Sequence, residues 1–169
     1  MKFDASMVHT TFTCPLGTVI IAATRQGLAG LWFDDQRHLP AELAGSAVWR
    51  AEPEHPVLVQ TMAQIGEYFL GRRLAFDLPL DLLGGTAFQR SVWQALLAIA
   101  PGKTASYGEI SANIGHRAAV RAVGAAVGRN PISIIVPCHR VLGASGALTG
   151  YAGGLARKQA LLELEGALP

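Results

Sequence analysis

The chain is expected to be an α/β protein in two parts, a small sheet-bearing N-terminal unit and a mostly helical C-terminal unit with a helix-turn-helix. Three observations lead there. Residues 8–33 alternate apolar runs with the turns Cys14-Pro15-Leu16-Gly17 and Arg25-Gln26-Gly27, the pattern of a β meander. After Gly84-Gly85 the spacing becomes helical, and two capping boxes occur within about twenty-five residues. Charge changes at the same place: residues 1–85 hold six Lys/Arg against nine Asp/Glu, whereas residues 86–169 hold eight against three. The expected division is therefore 1–85 and 86–169.

In order, strands are expected at 8–13, 18–24 and 28–33, then a polar, proline-containing loop with a short helix over 34–55. Val57, Met62, Ile65 and Phe69 predict a helix over 57–70 that packs on the sheet, and 74–78 reads as a short strand. Thr86-Ala87-Phe88-Gln89 opens a helix that carries Phe88, Val92, Ala95, Leu96 and Ile99 on one face, and Pro101-Gly102 stops it. Ser106-Tyr107-Gly108-Glu109 opens a second helix, which Gly115 ends. A third, Ala-rich helix is expected from Arg117 to the Asn130-Pro131 break, and a last one over 155–164.

Half of the 169 residues are hydrophobic and 15% are charged, which suits a packed core and excludes disorder. No apolar run approaches the ~20 residues of a membrane span, and the N-terminus lacks the layout of a signal peptide. Cys14 and Cys138 lie too far apart in sequence for a metal or redox motif, and the five histidines are scattered. A cytoplasmic protein without metal or cofactor is expected, with Cys14 a packed residue and Trp32, Trp49 and Trp93 in the core or at a domain interface.

The helix over 117–129 has two faces. Val120, Val123 and Val127 form one, and Arg117, Arg121, Ala125 and Arg129 a row at i, i+4 spacing on another. Between them lie Ala118, Ala122, Gly124 and Gly128. Interior glycines cost a helix up to ~1 kcal/mol each relative to Ala, so two of them suggest close approach of something to the backbone. Arginines that grip phosphate and a smooth surface that enters a groove point to DNA. The helix offers no outward Asn or Gln for base readout, so sequence-independent binding is expected.

Within Ile134-Ile135-Val136-Pro137-Cys138-His139-Arg140 a cysteine sits behind a proline, beside an imidazole and a guanidinium. Adjacent positive charge and a basic nitrogen lower a thiol's pKa and expose the thiolate as nucleophile. A plainly buried cysteine beside a chance histidine is the alternative reading of this segment.

With the helix-turn-helix, Asn130-Pro131, Pro137-Cys138-His139-Arg140 and Tyr151-Ala152-Gly153-Gly154-Leu155 in this order, the chain resembles the O6-alkylguanine-DNA alkyltransferase family. The match is dense from Phe88 to Gly166. The resemblance implies an RNase H-like N-terminal domain and a winged-helix-like C-terminal domain that binds double-stranded DNA through the minor groove and flips the damaged base. It implies that Cys138 takes the alkyl group of O6-alkylguanine, with O4-alkylthymine as a further substrate, and keeps it as a thioether, so that each molecule acts once.

By the same resemblance His139 is the base, reached through a water because adjacent side chains diverge, and Glu165 orients it. Tyr107 matches the tyrosine that donates to guanine N3 and crowds the rotating phosphate. Arg121 matches the arginine that fills the vacated place in the base stack, and Asn130 the hinge before the active-site turn. The carbonyls of Cys138 and Val141, the amide of Ala152 and neighbouring Tyr151 map to the guanine pocket. Lys158 is expected to be structural, and Arg140 to hold the motif's backbone.

Other classes remain in view. A non-catalytic alkyltransferase-like lesion binder would characteristically lack the cysteine. A cysteine hydrolase would bring its histidine from elsewhere in the chain. A helix-turn-helix regulator would dimerise. A monomer acting on duplex DNA is expected, and whether it binds cooperatively stays open.

Overall fold

The structure, a computed structural model, describes residues 3–43 and 49–168; part of the loop expected over 34–55 falls outside them. β1 (Val8–Cys14), β2 (Gly17–Ala23) and β3 (Leu28–Phe33) form the antiparallel meander, and β4 (Arg50–Ala51) pairs parallel with β1. The sheet order is β3-β2-β1-β4. Gly17, at φ 120°, makes the tight first turn that a side chain would resist. A single 3-10 turn, Ala41–Leu43, stands where the short helix is expected.

Alternation along the strands sorts side chains onto two faces. Ile21, Ala23, Leu31 and Phe33 join the main core, while Ala22, Ala29 and Trp32 join a satellite cluster with Trp49. There the Trp32 and Trp49 rings stack at 6.1 Å, with Phe3 edge-on to both.

α1 (Pro56–Phe69) starts on a proline, whose fixed φ suits a first helical turn. It buries Leu58, Thr61, Gln64, Ile65 and Tyr68 rather than the expected row, of which only Ile65 is fully covered. The expected strand over 74–78 does not form. Gln64 bonds both polar groups of the Asp77 backbone, Nε2 to O at 2.8 Å and N to Oε1 at 2.9 Å, and Gln60 Nε2 adds a third bond at 2.9 Å. Side-chain amides of α1 thus replace ladder partners. Only Leu80 reaches the sheet, as one bridge opposite Leu28.

α2 (Ala87–Leu97) and α3 (Tyr107–Asn113) both begin at complete capping boxes, Thr86 with Gln89 and Ser106 with Glu109. α4 (Val120–Gly128) starts later than expected, because His116 O accepts from Ala119 N at 2.7 Å and from the Ser111 hydroxyl, which closes a turn first. Arg117 and Ala118 therefore precede the helix, and the arginine row does not run along one face. Val120 is 40% exposed; the buried stripe is Val123, Ala126 and Val127. α5 (Leu155–Leu164) closes the chain. A short parallel pair, β5 (Ala105–Ser106) with β6 (Val141–Leu142), was not legible in the sequence. It sets the start of α3 beside the segment that follows Cys138.

One apolar core spans both halves and includes Phe33, Tyr68, Trp93, Val123, Val136 and Leu161. The Trp93 indole donates to Ala126 O at 2.9 Å, which ties α2 to α4. Leu31 N donates to Pro131 O and Ser133 N to Leu31 O, both at 2.9 Å, so the segment leading to Cys138 pairs with β3.

Candidate active site

Cys138 is delivered by two tight turns in succession. Ile134 has φ 69°, a conformation β-branched residues avoid, and Ile135 N donates to Ser133 O across it at 2.8 Å. Pro137 (φ −82°, ψ 62°) forms an inverse γ-turn closed by Cys138 N to Val136 O at 2.8 Å. Backbone held this way costs ~1–3 kcal/mol and persists only where its surroundings over-determine it. The β3 pairing and Asn130 do so here. Buried Asn130 accepts from Ile132 N at 3.0 Å, and its Nδ2 donates to Val136 O at 2.8 Å, Ile132 O at 3.3 Å and Cys138 Sγ at 3.0 Å.

Burial pushes the Cys138 thiol up to about 11, against the Asn130 hydrogen bond and the Lys158 charge. The resting site therefore holds a thiol, which corrects the expectation that neighbouring charge exposes a thiolate. The reason is geometric. In the 3-10 turn Cys138–Arg140 both adjacent side chains bond to Glu165: His139 Nε2 lies 2.9 Å from Oε1, Arg140 Nε donates to Oε2 at 2.7 Å, and Arg140 Nη2 to Oε1 at 2.9 Å. Arg140 Nη1 donates to Ile99 O. The arginine thus ties its turn to the carboxylate and to the end of α2, rather than bonding the backbone of its own motif as expected.

Glu165 caps α5 at its C-terminal end and is buried. Burial alone would raise its carboxyl, but hydrogen bonds from His139 and Arg140, with their charges, bring it down to about 2. Tyr68 on α1 adds a hydroxyl bond to Oε1 at 2.9 Å. Burial lowers the His139 pKa, only partly offset by Glu165, so its ring is neutral near pH 7. With Nε2 facing the carboxylate, the buried Nδ1 has no partner among the described residues and is the atom free to accept a proton.

Cys138 lines a cavity of about 130 Å³, shared with Tyr107, Gly124, Gly128, Tyr151 and Ala152. That is room for one flat ring system rather than a drug-sized ligand. A Cβ at Gly128 would meet no protein atom within 4 Å, and one at Gly124 only the Tyr107 ring at 3.8 Å. Internal packing demands neither glycine; both border the cavity. A larger cleft of about 330 Å³ beneath Phe3 and Leu82 is lined by neither cysteine nor histidine.

The structure brings Cys138, His139, Glu165, Asn130, Tyr107, Tyr151 and Ala152 together. Tyr107 Oη bonds Thr149 O at a long 3.3 Å. The Tyr151 hydroxyl is buried without a hydrogen bond among the described residues, the Ser133 hydroxyl being the polar group beside it. Val141 O accepts from Lys158 Nζ, and Cys138 O from Val141 N, which leaves each carbonyl a second lone pair. Lys158 is fully buried, and its ammonium also binds Thr149 O at 2.7 Å and Gly150 O at 3.3 Å. Arg117, Ala118, Arg121, Ala122, Ala125 and Arg129 are exposed outside the cavity, while Gly124 bridges this surface and the pocket.

Three contributors went unnoticed in the sequence: Tyr68, and Arg37 with His38 on the cavity wall. Tyr68 was legible only as an aromatic near a helix end, and nothing marks the loop residues. Buried Cys14, its thiol raised by burial, is a packed residue. Among the described residues no group of three or more His, Cys, Asp or Glu is placed to hold a metal ion.

The ribonuclease-like domain of 6-O-methylguanine DNA methyltransferase matches residues 7–82, and that family's DNA-binding domain matches residues 87–167. The methylated-DNA–protein-cysteine methyltransferase of Mycobacterium leprae is 48% identical over 160 residues, covering 94% of this chain and 93% of the relative. Its counterpart from Methanosarcina acetivorans is 45% identical over 160 residues, covering 95% and 99%. Among solved structures, Mycobacterium tuberculosis OGT in complex with DNA superimposes with a TM-score of 0.84 at 46% identity, covering 95% of this chain and 93% of that one. Matched over nearly its whole length, the chain belongs to the 6-O-methylguanine DNA methyltransferase family.

Proposed function

We propose that the protein repairs DNA by direct reversal, moving the alkyl group of O6-alkylguanine in duplex DNA onto its own Cys138, once per molecule. The observation that carries this is Cys138 Sγ in a base-sized cavity bordered by the helix-turn-helix, next to a neutral histidine with one free nitrogen. The exposed side of α4 meets the duplex, Arg121 enters the stack, and the lesion turns into the cavity. Arg117 and Arg129 hold phosphates, while Ala118, Ala122 and Ala125 allow close approach. In this reading residues 1–85 support the site and residues 86–169 bind DNA and react.

The thiol proton passes through a water to His139 Nδ1, and Glu165 stabilises the imidazolium. Asn130 Nδ2 stabilises the sulfur anion as it forms. Sγ then attacks the alkyl carbon: an S–C bond forms, the C–O6 bond breaks, and the electron pair leaves on the guanine. A proton from the site's donors, with Tyr107 on N3, completes the restored base. Ala152 N–H, with no acceptor among the described residues, faces this task at O6. The product is an S-alkylcysteine, and nothing in the site removes it.

No helix among the described residues is long and apolar enough to cross a membrane. We propose a monomer acting in the cytoplasm, checked by sedimentation with and without duplex. A purified sample incubated with a duplex carrying one O6-methylguanine should gain one methyl group, mapped to Cys138 by peptide mass. Retained lesion binding with unchanged mass would identify a lesion binder instead.

A further inference from the structure

We infer that Arg157, on the first turn of α5, is a positioning residue for the guanine pocket: it fixes residues 151–154, the wall that receives the lesion base, against the N-terminal sheet. This rests on the alkyltransferase reading above. The wall needs outside support. Gly150, Tyr151 and Ala152 border the Cys138 cavity on one side and a cleft of about 460 Å³ on the other, so the strip is a thin partition. Ala152-Gly153-Gly154 carries little side chain to stiffen it, and Gly154 stands at φ 89°, which glycine reaches without strain.

Three successive carbonyls of the partition are held. Tyr151 O accepts from Gly154 N at 3.1 Å within the strip, and Ala152 O from Arg37 N at 3.0 Å. Gly153 O accepts from Arg157 Nη1 at 3.0 Å. The same guanidinium donates through Nε to Leu16 O in the β1–β2 turn at 2.9 Å and through Nη1 to Asp35 at 2.6 Å. It also lies 4.3 Å from the Phe33 ring centroid. A Cβ at Gly17 would come within 3.0 Å of Nη2, and one at Gly153 within 2.8 Å of the Tyr151 ring and 2.9 Å of Phe33. Guanidinium, Phe33, Gly153 and Tyr151 therefore form one packed series from the sheet to the pocket.

The arginine's position is otherwise unfavourable. A cation in the first turn meets the positive end of the helix dipole. Its acidic partner Asp35 is 66% exposed, so that ion pair adds little. What the guanidinium supplies is geometric. Its side chain is only 18% exposed and reaches back off the helix start, where the planar fork serves two carbonyls while stacking on a ring. A lysine ammonium does not reproduce that arrangement. The Ala152 N–H assigned above to O6 belongs to the peptide that joins Tyr151 to Ala152, so the clasp sets its direction and the plane of the Tyr151 ring together.

The test measures binding of Cys138→Ser, with and without Arg157→Ala or Arg157→Lys, to a duplex carrying one O6-methylguanine and to an undamaged duplex. Arg157→Ala should weaken lesion binding about tenfold and leave undamaged-duplex binding within about twofold, because α4 is untouched. Arg157→Lys keeps the charge and most of the stem and should lose nearly as much; it carries the test if Arg157→Ala does not fold. With Cys138 intact, iodoacetamide labelling of Cys138 across pH should keep the wild-type midpoint in both variants, since Asn130 and His139 stay in place. Unchanged lesion preference would overturn the inference, as would equal losses on both duplexes, full recovery by Arg157→Lys or a shifted midpoint. Wild type that takes no methyl group from the lesion would sink the transferase reading instead, so the two failures are distinguishable.

Discussion

The Tyr68 hydroxyl on α1 donates a 2.9 Å hydrogen bond to Glu165 Oε1, the oxygen that also meets His139 Nε2. A residue of the N-terminal half thus helps set the basicity of the reactive histidine 71 positions later. Tyr68→Phe removes one donor from the carboxylate, so Glu165 becomes more basic and pulls the His139 pKa upward. The acid limb of the pH–rate profile for methyl transfer should move to higher pH. Stability should fall by ~1.5–3 kcal/mol, the usual worth of a hydrogen bond to a charged group. A limb that stays put with the same stability loss would reduce Tyr68 to a packing residue.

Asn130 holds both the turn and the sulfur. Asn130→Ala leaves Ile132 N without its partner, takes one of two donors from Val136 O and removes the donor that favours the sulfur anion. We expect ~1–3 kcal/mol of destabilisation and a Cys138 thiol that ionises at still higher pH. Iodoacetamide trapping across pH, read at Cys138 by peptide mass, checks the direction; an unchanged titration midpoint would count against the Nδ2–Sγ interaction.

Gly124 sits inside α4, where alanine fits with only an ordinary contact to the Tyr107 ring. Gly124→Ala should therefore raise stability by ~0.5–1 kcal/mol. The same methyl group narrows the cavity mouth, so transfer from duplex DNA should slow severalfold. Greater stability with full activity would show that the glycine serves neither DNA nor base.

Acid should unfold the protein through the buried relay. The His139 pKa is lowered by burial, so below its ordinary value of 6.5 the unfolded chain binds the extra proton and stability falls. Glu165 is held at about 2 from 4.5, so its contribution, on the order of 3 kcal/mol, is complete above pH 4.5 and lost between pH 4.5 and 2. Urea unfolding at pH 7, 5.5, 4 and 3 should show a first decline below 6.5 and a steeper one below 4.5. In Glu165→Gln the second decline should become shallower, leaving only the smaller share of surface carboxyls such as Asp35 and Glu109.

Duplex specificity separates stack insertion from pocket chemistry. Arg121 is exposed on α4 and lies outside the cavity, so Arg121→Ala should slow transfer from duplex DNA at least tenfold and leave transfer from the free methylated base unchanged. Equal losses on both substrates would exclude a flipping role.

Much of this protein is written in signals that act over a few residues. Turn residues, capping boxes and side-chain alternation determined the meander and the starts of α2 and α3. The spacing of Asn130, Cys138 and His139 determined where reactive chemistry sits, because these residues meet within one short loop. Long-range relationships were decided by tertiary structure alone. Tyr68 meets Glu165 across 97 positions, Arg140 turns to that carboxylate rather than to the sulfur, and Arg37 reaches the pocket from the other half. The segment at 74–78 lost its strand to Gln60 and Gln64, which no local pattern foretells. Even the resting state of Cys138 belongs to the fold. Adjacency in sequence promised an activated thiolate, but a thiol ionises according to the groups and the burial around it in space, and these are fixed only once both halves share one core.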